Sequence, residues 1–463
     1  MPDLHQQAGF VPRHWIGVYK WWRLISQSPW GFFLAYPPEE RGTHTLIIGA
    51  TGSGKTVLCH HLIVQEIQQG HSICVLDLRG DFVAAVVELC ARFGVDPRKV
   101  LLLDLRAKGP QATFNPLFGA GEPYYRALNV LDVIASESES WGVQLSETLR
   151  NGLLLLAESG QPLTRLESLL FDRHFRLTCL EACKSESVVA FWQRFDELSA
   201  DRQTAFAGPV LNKLSPLLAT STLRAILGGS NPVDLGKHLN TPGSITLVSL
   251  AVDELHASGK MMGRLVLASI CREVFARVET QESKRNPIRL YVDEFEHFGM
   301  TEFETILAEG RRFGFSAVLA HQTLAQLSPR MRSMILNNVG AKFVFRCGRE
   351  DSAVLSKDLT GDPKAFDFNE FGVGEAVMWR RGQGSTEIEV NEPLVQDVGR
   401  RSDAARLFVK HIRQRETAFE MPTNGVSRAD GPVEPFNGQD SLSGEPQNPR
   451  KGNGSDLGDW LCD

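Results

Sequence analysis

At 463 residues the chain exceeds one ordinary domain and reads as two or three. Its composition, 42% hydrophobic and 22% charged, is that of a globular protein and excludes a wholly disordered or fibrous one. The formal net charge is −6, and the last 43 residues, with seven acids against three bases, account for −4 of it. So neutral a body can bind nucleic acid only through a local basic lining, not through a global positive field.

In chain order, the first 40 residues hold an aromatic stretch, Trp15–Tyr36, interrupted by Lys20 and Arg23. Trp15, Tyr19, Trp22 and Ser26 fall at helical spacing. The partly apolar face they form is expected to pack on the main domain or a neighbouring subunit, with contact to a membrane or membrane partner as the alternative. Strand-like runs follow at Thr45–Ile48, Ser72–Leu76, Val100–Leu103, Ile245–Leu250, Arg289–Val292, Ser316–Ala320, Ala341–Arg346 and Ala376–Trp379. Several are continuously apolar, as strands covered on both faces are. Their alternation with helical segments implies an α/β fold with a mostly parallel sheet and helices on both faces. The alternation breaks between about Glu122 and Gly229, where only helical periodicities occur, so residues 122–229 are expected to form an inserted all-helical domain. Residues 41–121 and 230–400 would form the sheet domain, and 401–420 a C-terminal helix. Residues 421–463 are rich in Gly, Pro, Asn, Ser and Asp and read as a disordered tail.

Eight cysteines are scattered through mostly apolar surroundings. Cys179 and Cys183 lie a helical turn apart without a matching second pair, so free thiols fit better than a metal site. No run of eighteen uncharged apolar residues occurs, and the N-terminus lacks the basic start and apolar core of a signal peptide. A cytoplasmic location, or a peripheral one at the inner face of the cell membrane, is therefore expected.

The segment LIIGATGSGKTVLCHHL reads strand, loop, helix, and its Gly49–Thr56 matches G-x-x-x-x-G-K-[ST] without deviation. In such a P-loop Gly49, Ala50, Thr51, Gly52, Ser53, Gly54, Lys55, Thr56 and Val57 wrap a phosphate chain in backbone N–H groups at a helix N-terminus. Lys55 would reach the β- and γ-phosphates and Thr56 would ligate Mg²⁺. In IRLYVDEFEHF an apolar strand ends in Asp293 and Glu294. Asp293 would hold the Mg²⁺, usually through water, and Glu294 would polarise the attacking water. Asp77 and Asp81, in the DLRGDF loop, read as loop-fixing. Arg41 and His44 precede the P-loop strand and could lie near the base or ribose, although an arginine at a strand entrance is usually solvated. Nothing in the residues names the base.

Taken together, GATGSGKT, VLDLRGDF, FNPL, the helical insert, LYVDEF, LAEGRRFGFSAVLAHQTLAQL and FRCGREDSAVLSKDL resemble the coupling-protein ATPases of conjugative type IV secretion, within the FtsK/HerA superfamily. The likeness runs from about Arg41 to Gln396. It implies a RecA-like P-loop core that uses ATP and Mg²⁺, assembles as a hexameric ring and moves DNA through its channel. It also implies that Gln322 senses the γ-phosphate, that Arg311 or Arg312 reaches a neighbour's nucleotide, and that Arg346 and Arg349 contact phosphate. Membrane-bound members begin with transmembrane helices, a pattern this sequence lacks, so a separate membrane-embedded secretion or conjugation partner is one expectation. An ATPase energising protein secretion, or a HerA-like DNA-processing motor in repair or defence, are the alternatives.

Overall fold

The strands of this chain are drawn from all along its length into one sheet. A computed structural model describes residues 15–19, 33–35, 42–109, 111–138, 140–229, 231–298, 301–390, 393–395 and 402–420. Among these the strands are β1 (Trp15–Tyr19), β2 (Phe33–Ala35), β3 (His44–Ile48), β4 (Ser72–Asp77), β5 (Val100–Asp104), β6 (Ile245–Ser249), β7 (Ile288–Asp293), β8 (Phe315–His321), β9 (Val339–Phe345), β10 (Glu375–Arg380) and β11 (Gly384–Val390). Their order is β2-β1-β11-β10-β9-β3-β8-β7-β4-β6-β5. The stretch from β9 to β5 is parallel throughout, and the β2 end is antiparallel.

The continuous apolar runs are explained by two covered faces. Leu46 and Ile48 of β3, with Cys74 and Leu76 of β4, join the core on one face. Ile47, Ile73 and Val75 join the core on the other. The helices Lys55–Gln69, Asp81–Arg92 and Asp403–Glu420 cover this second face, the last through Ala405, Phe408, Val409 and Ile412. The first face receives the helix Ala257–Phe275 and the helices that join β5 to β6.

Every described element between β5 and β6 is helical, from Pro123–Ser136 to Leu235–Asn240, so the proposed insert 122–229 falls inside that one connection. Its core is built on Leu149, Leu153, Trp192 and Phe195 and runs without a break into the sheet's first face. Arg176 is buried there against Trp192 and Phe195. Its Nε donates to Asp196 at 3.0 Å, and Nη1 donates to the carbonyl of Leu169. A guanidinium so deep is tolerated only because it is paired and hydrogen-bonded.

One local reading is corrected, and one polar strand was not expected. The helical spacing at Trp15 and Tyr19 does not give a helix: these residues bound β1, which pairs with β11 at Gly17–Val390 and Val18–Glu389. A sheet edge offers a row of unpaired backbone groups, and that pairing overrides a weak local period. Trp22 and Ser26 lie outside the described residues. The unexpected polar strand is β11, GSTEIEV, which carries no apolar run because much of it stays partly exposed. The tail 421–463, Arg41 and Cys462 also lie outside the described residues. No described helix is long and apolar enough to cross a membrane.

Candidate active site

β3 ends at Ile48, and the next six residues turn the chain into the helix beginning at Lys55. Gly52 and Gly54 take φ of +73° and +114°, conformations that cost little only to glycine. At Gly49 the demand is space: a Cβ would stand 2.6 Å from Phe345 Cβ and 2.8 Å from Ser53 Oγ. The loop is pinned by its neighbours. Gly49 N–H donates to the His321 carbonyl at 3.2 Å, Ala50 N–H to the Arg346 carbonyl at 2.7 Å, and Gly374 N–H to the Ser53 carbonyl at 2.9 Å.

The Lys55 ammonium is buried and donates to the carbonyls of Gly49 (2.6 Å) and Ala50 (3.0 Å). Burial lowers its pKa, while Asp293 and Glu294 oppose that shift. A phosphate chain would offer this desolvated cation a charged partner in place of two carbonyls. Thr56 is exposed and lines the same small cleft as Asp293.

Asp293 closes β7. Burial pushes its carboxyl up to about 6, aided by Glu294 and Asp77 and opposed by Lys55. A carboxyl whose ionised form is disfavoured by desolvation and by like charges is one whose anion a divalent cation would stabilise. Thr56 and Asp293 thus form a donor pair suited to Mg²⁺. Glu294 stands at φ +52°, a left-handed conformation that costs a non-glycine residue about 1–3 kcal/mol. Its N–H donates to Asp293 Oδ1 at 3.1 Å.

Gln322, one residue beyond β8, brings the two motifs together. Its Nε2 donates to Glu294 Oε1 at 2.7 Å, and its Oε1 accepts from the Thr51 hydroxyl at 3.1 Å. One amide therefore bridges the P-loop and the carboxylate that would activate water. His321 is fully buried, with Nδ1 2.8 Å from Glu296 Oε2. Burial would raise the Glu296 carboxyl, but the His321 hydrogen bond holds it below its usual range.

Arg311 and Arg312 are exposed on the turn Gly310–Phe313 at the start of β8. Among the described residues neither forms an ion pair, with Glu309 or otherwise. The seven residues of β8 separate them from Gln322 by roughly 20 Å. They therefore stand at the opposite end of the sheet from the chain's own P-loop. Arg346 follows β9 beside the P-loop, and Arg349 begins the helix Arg349–Thr360. Asp77 is loop-fixing: its carboxylate accepts the N–H groups of Arg79 (2.9 Å) and Val83 (2.8 Å). His44 is not near the site. It sits at the far end of β3, where its Nδ1 accepts the Ala317 N–H at 3.0 Å.

Two contributors escaped sequence reasoning. Gly374 supports the P-loop from the turn before β10, and Arg79 Nη2 reaches Glu294 Oε1 at 3.3 Å. A basic residue following the strand beside β7 was a usable signal for Arg79; nothing local marks Gly374.

Two families match segments of the chain. Residues 33–111 match the type IV secretion-system coupling protein DNA-binding domain, and residues 287–365 match the TraM recognition site of TraD and TraG. No curated protein sequence matches. Among solved structures, the bacterial conjugative coupling protein TrwBdeltaN70 is 14% identical with a TM-score of 0.57, covering 86% of this chain and 97% of that one. The plasmid coupling protein TrwB in complex with ADP and Mg²⁺ is 16% identical with a TM-score of 0.56, covering 85% and 97%. VirB4 of Thermoanaerobacter pseudethanolicus is 14% identical with a TM-score of 0.54, covering 83% and 97%. At these identities the likeness is one of fold, a RecA-like P-loop core.

Proposed function

We propose that this chain, a type IV coupling-protein-like P-loop ATPase, hydrolyses ATP to ADP and phosphate and couples the reaction to moving DNA in conjugative or type IV secretion transfer. The observation that carries the reading is Gln322, bonded at once to Glu294 and to Thr51 of the P-loop. A nucleotide-held scaffold needs no such bridge; an enzyme that must align a water with a terminal phosphate does.

In this reading the P-loop N–H groups cradle the phosphates, and Lys55 exchanges its carbonyl partners for the β- and γ-phosphates. Thr56 and Asp293 hold Mg²⁺, which when bound neutralises charge on the phosphate oxygens. Glu294 orients the attacking water and accepts its proton. Gln322 keeps that carboxylate in register with the P-loop and senses the γ-phosphate. The distance from Arg311 and Arg312 to the chain's own P-loop favours action on a neighbour, hence a ring of identical subunits, with six as the family's number. DNA would follow a local basic lining, since the body is nearly neutral. A membrane-embedded secretion or conjugation partner belongs to the same reading, and the match of residues 33–111 to a coupling-protein DNA-binding domain supports its DNA arm.

The test is ATP turnover with and without DNA at low salt, where phosphate contacts are strongest. DNA should stimulate turnover, and Lys55→Ala and Glu294→Gln should abolish it. Absence of both DNA binding and stimulation at low salt would overturn the DNA reading. Turnover that ignores DNA but answers to a membrane partner would point to protein secretion instead.

A further inference from the structure

The loop after β4 runs Asp77-Leu78-Arg79-Gly80-Asp81, and its backbone is fixed at several points. Asp77 is 4% exposed and uses both oxygens to hold the loop, Oδ1 on Arg79 N–H and Oδ2 on Val83 N–H. Gly80 stands at φ +103°, and a Cβ there would lie 2.7 Å from Ser249 Oγ. The sheet order places β4 on one side of β7 and β8 on the other. Glu294 follows β7, so it is flanked by the Arg79 loop and by Gln322.

Both flanking groups address the same atom. Arg79 Nη2 donates to Glu294 Oε1 at 3.3 Å, and Gln322 Nε2 donates to it at 2.7 Å. A carboxylate oxygen has two lone pairs, and here one is taken from each side. The Arg79 side chain is 66% exposed. A pair so open to water adds little to stability, yet a buried carboxylate and a glycine are spent on aiming it. That investment suits an orienting role better than a structural one.

We propose that Arg79 is a positioning residue for Glu294. With Gln322 it clamps Oε1 from the two strands beside β7 and so sets the direction in which the carboxylate meets the attacking water. The inference rests on the ATPase reading above. The competing partner for Arg79 is Asp253. The Arg106 hydrogen bond holds that carboxyl below its usual range, and the Arg79 charge is only a lesser contributor.

The experiment compares Arg79→Ala and Arg79→Lys with wild type. Misaligning a reacting group should lower kcat of the alanine variant roughly 10-fold to 100-fold. KM for ATP should stay within about twofold of wild type, and Tm should not move. Lysine, which keeps the cation, should restore part of kcat. A second readout does not need turnover: the carboxyl-carbon resonance of Glu294, assigned by its loss in Glu294→Gln, should shift in Arg79→Ala. An unchanged or raised kcat, or a defect confined to KM, would overturn the proposal. If wild type shows no turnover, the ATPase reading fails and the resonance alone decides. An unmoved signal then removes the clamp as well.

Discussion

Gln322 is the residue on which the site turns, because its amide has both a donor and an acceptor and uses each. Gln322→Ala frees Glu294 from the P-loop while leaving Lys55, Thr56 and Asp293 in place. Losing one preorganised donor of this kind costs roughly 10²-fold in rate. The expected outcome is therefore a fall of that order in kcat with KM for ATP little changed; a loss in KM alone would count against the role. Gln322→Glu keeps the shape but sets a second carboxylate against Glu294, and should be no more active. The P-loop and Asp293-Glu294 were legible in the sequence because their chemistry is packed into neighbouring positions. The bridge from Gln322 to Glu294 was not, since it joins residues 28 apart whose meeting depends on β7 and β8 being parallel neighbours.

At the scale of elements, the turn Gly310–Phe313 is mounted rigidly. Arg277 Nη1 donates to the carbonyls of Phe313 (3.1 Å) and Asn286 (2.9 Å), and Arg285 donates to the carbonyl of Arg312. Phe313 meets Phe275 edge to face at 5.5 Å between centroids. Gly314 ends the turn at φ +72°. Two exposed arginines on so fixed a base are arranged to present charge outward. A chain carrying Arg311→Ala and Arg312→Ala keeps its own P-loop intact. Mixed with Lys55→Ala chains, it should regain part of the turnover that neither has alone, because each supplies what the other lacks. Mixtures as inactive as their parts would remove the trans role. Eight strands were readable as elements, several of them because burial on both faces leaves a continuous apolar run. β1, β2 and β11 were not, since these outermost antiparallel strands are specified by their partners' backbones more than by their own composition.

For the whole molecule, acid sensitivity follows from histidines buried neutral. Burial pushes His44, His60 and His238 each down to about 4 from 6.5. A lowered histidine pKa means that the unfolded chain binds the proton first. The stabilising contribution is complete above pH 6.5 and is lost as pH falls towards 4. Asp293 and Glu273, raised by burial, act in the opposite sense, so the measurement must be differential. The unfolding free energy of wild type minus that of His60→Gln should drop by about 2 kcal/mol between pH 7 and pH 5; a flat difference would contradict the burial. The place of β3 has a further consequence, for the order in which the chain can fold. β3 is synthesised early but pairs only with β8 and β9, and 273 residues separate His44 from its Ala317 contact. Contacts so distant in sequence make closure slow. The helices between β5 and β6 can collapse locally while the P-loop strand still waits with both edges bare. A nascent or truncated chain that stops before Val339 therefore carries the whole P-loop sequence without the sheet that shapes it, and its exposed strand edges make it prone to aggregate.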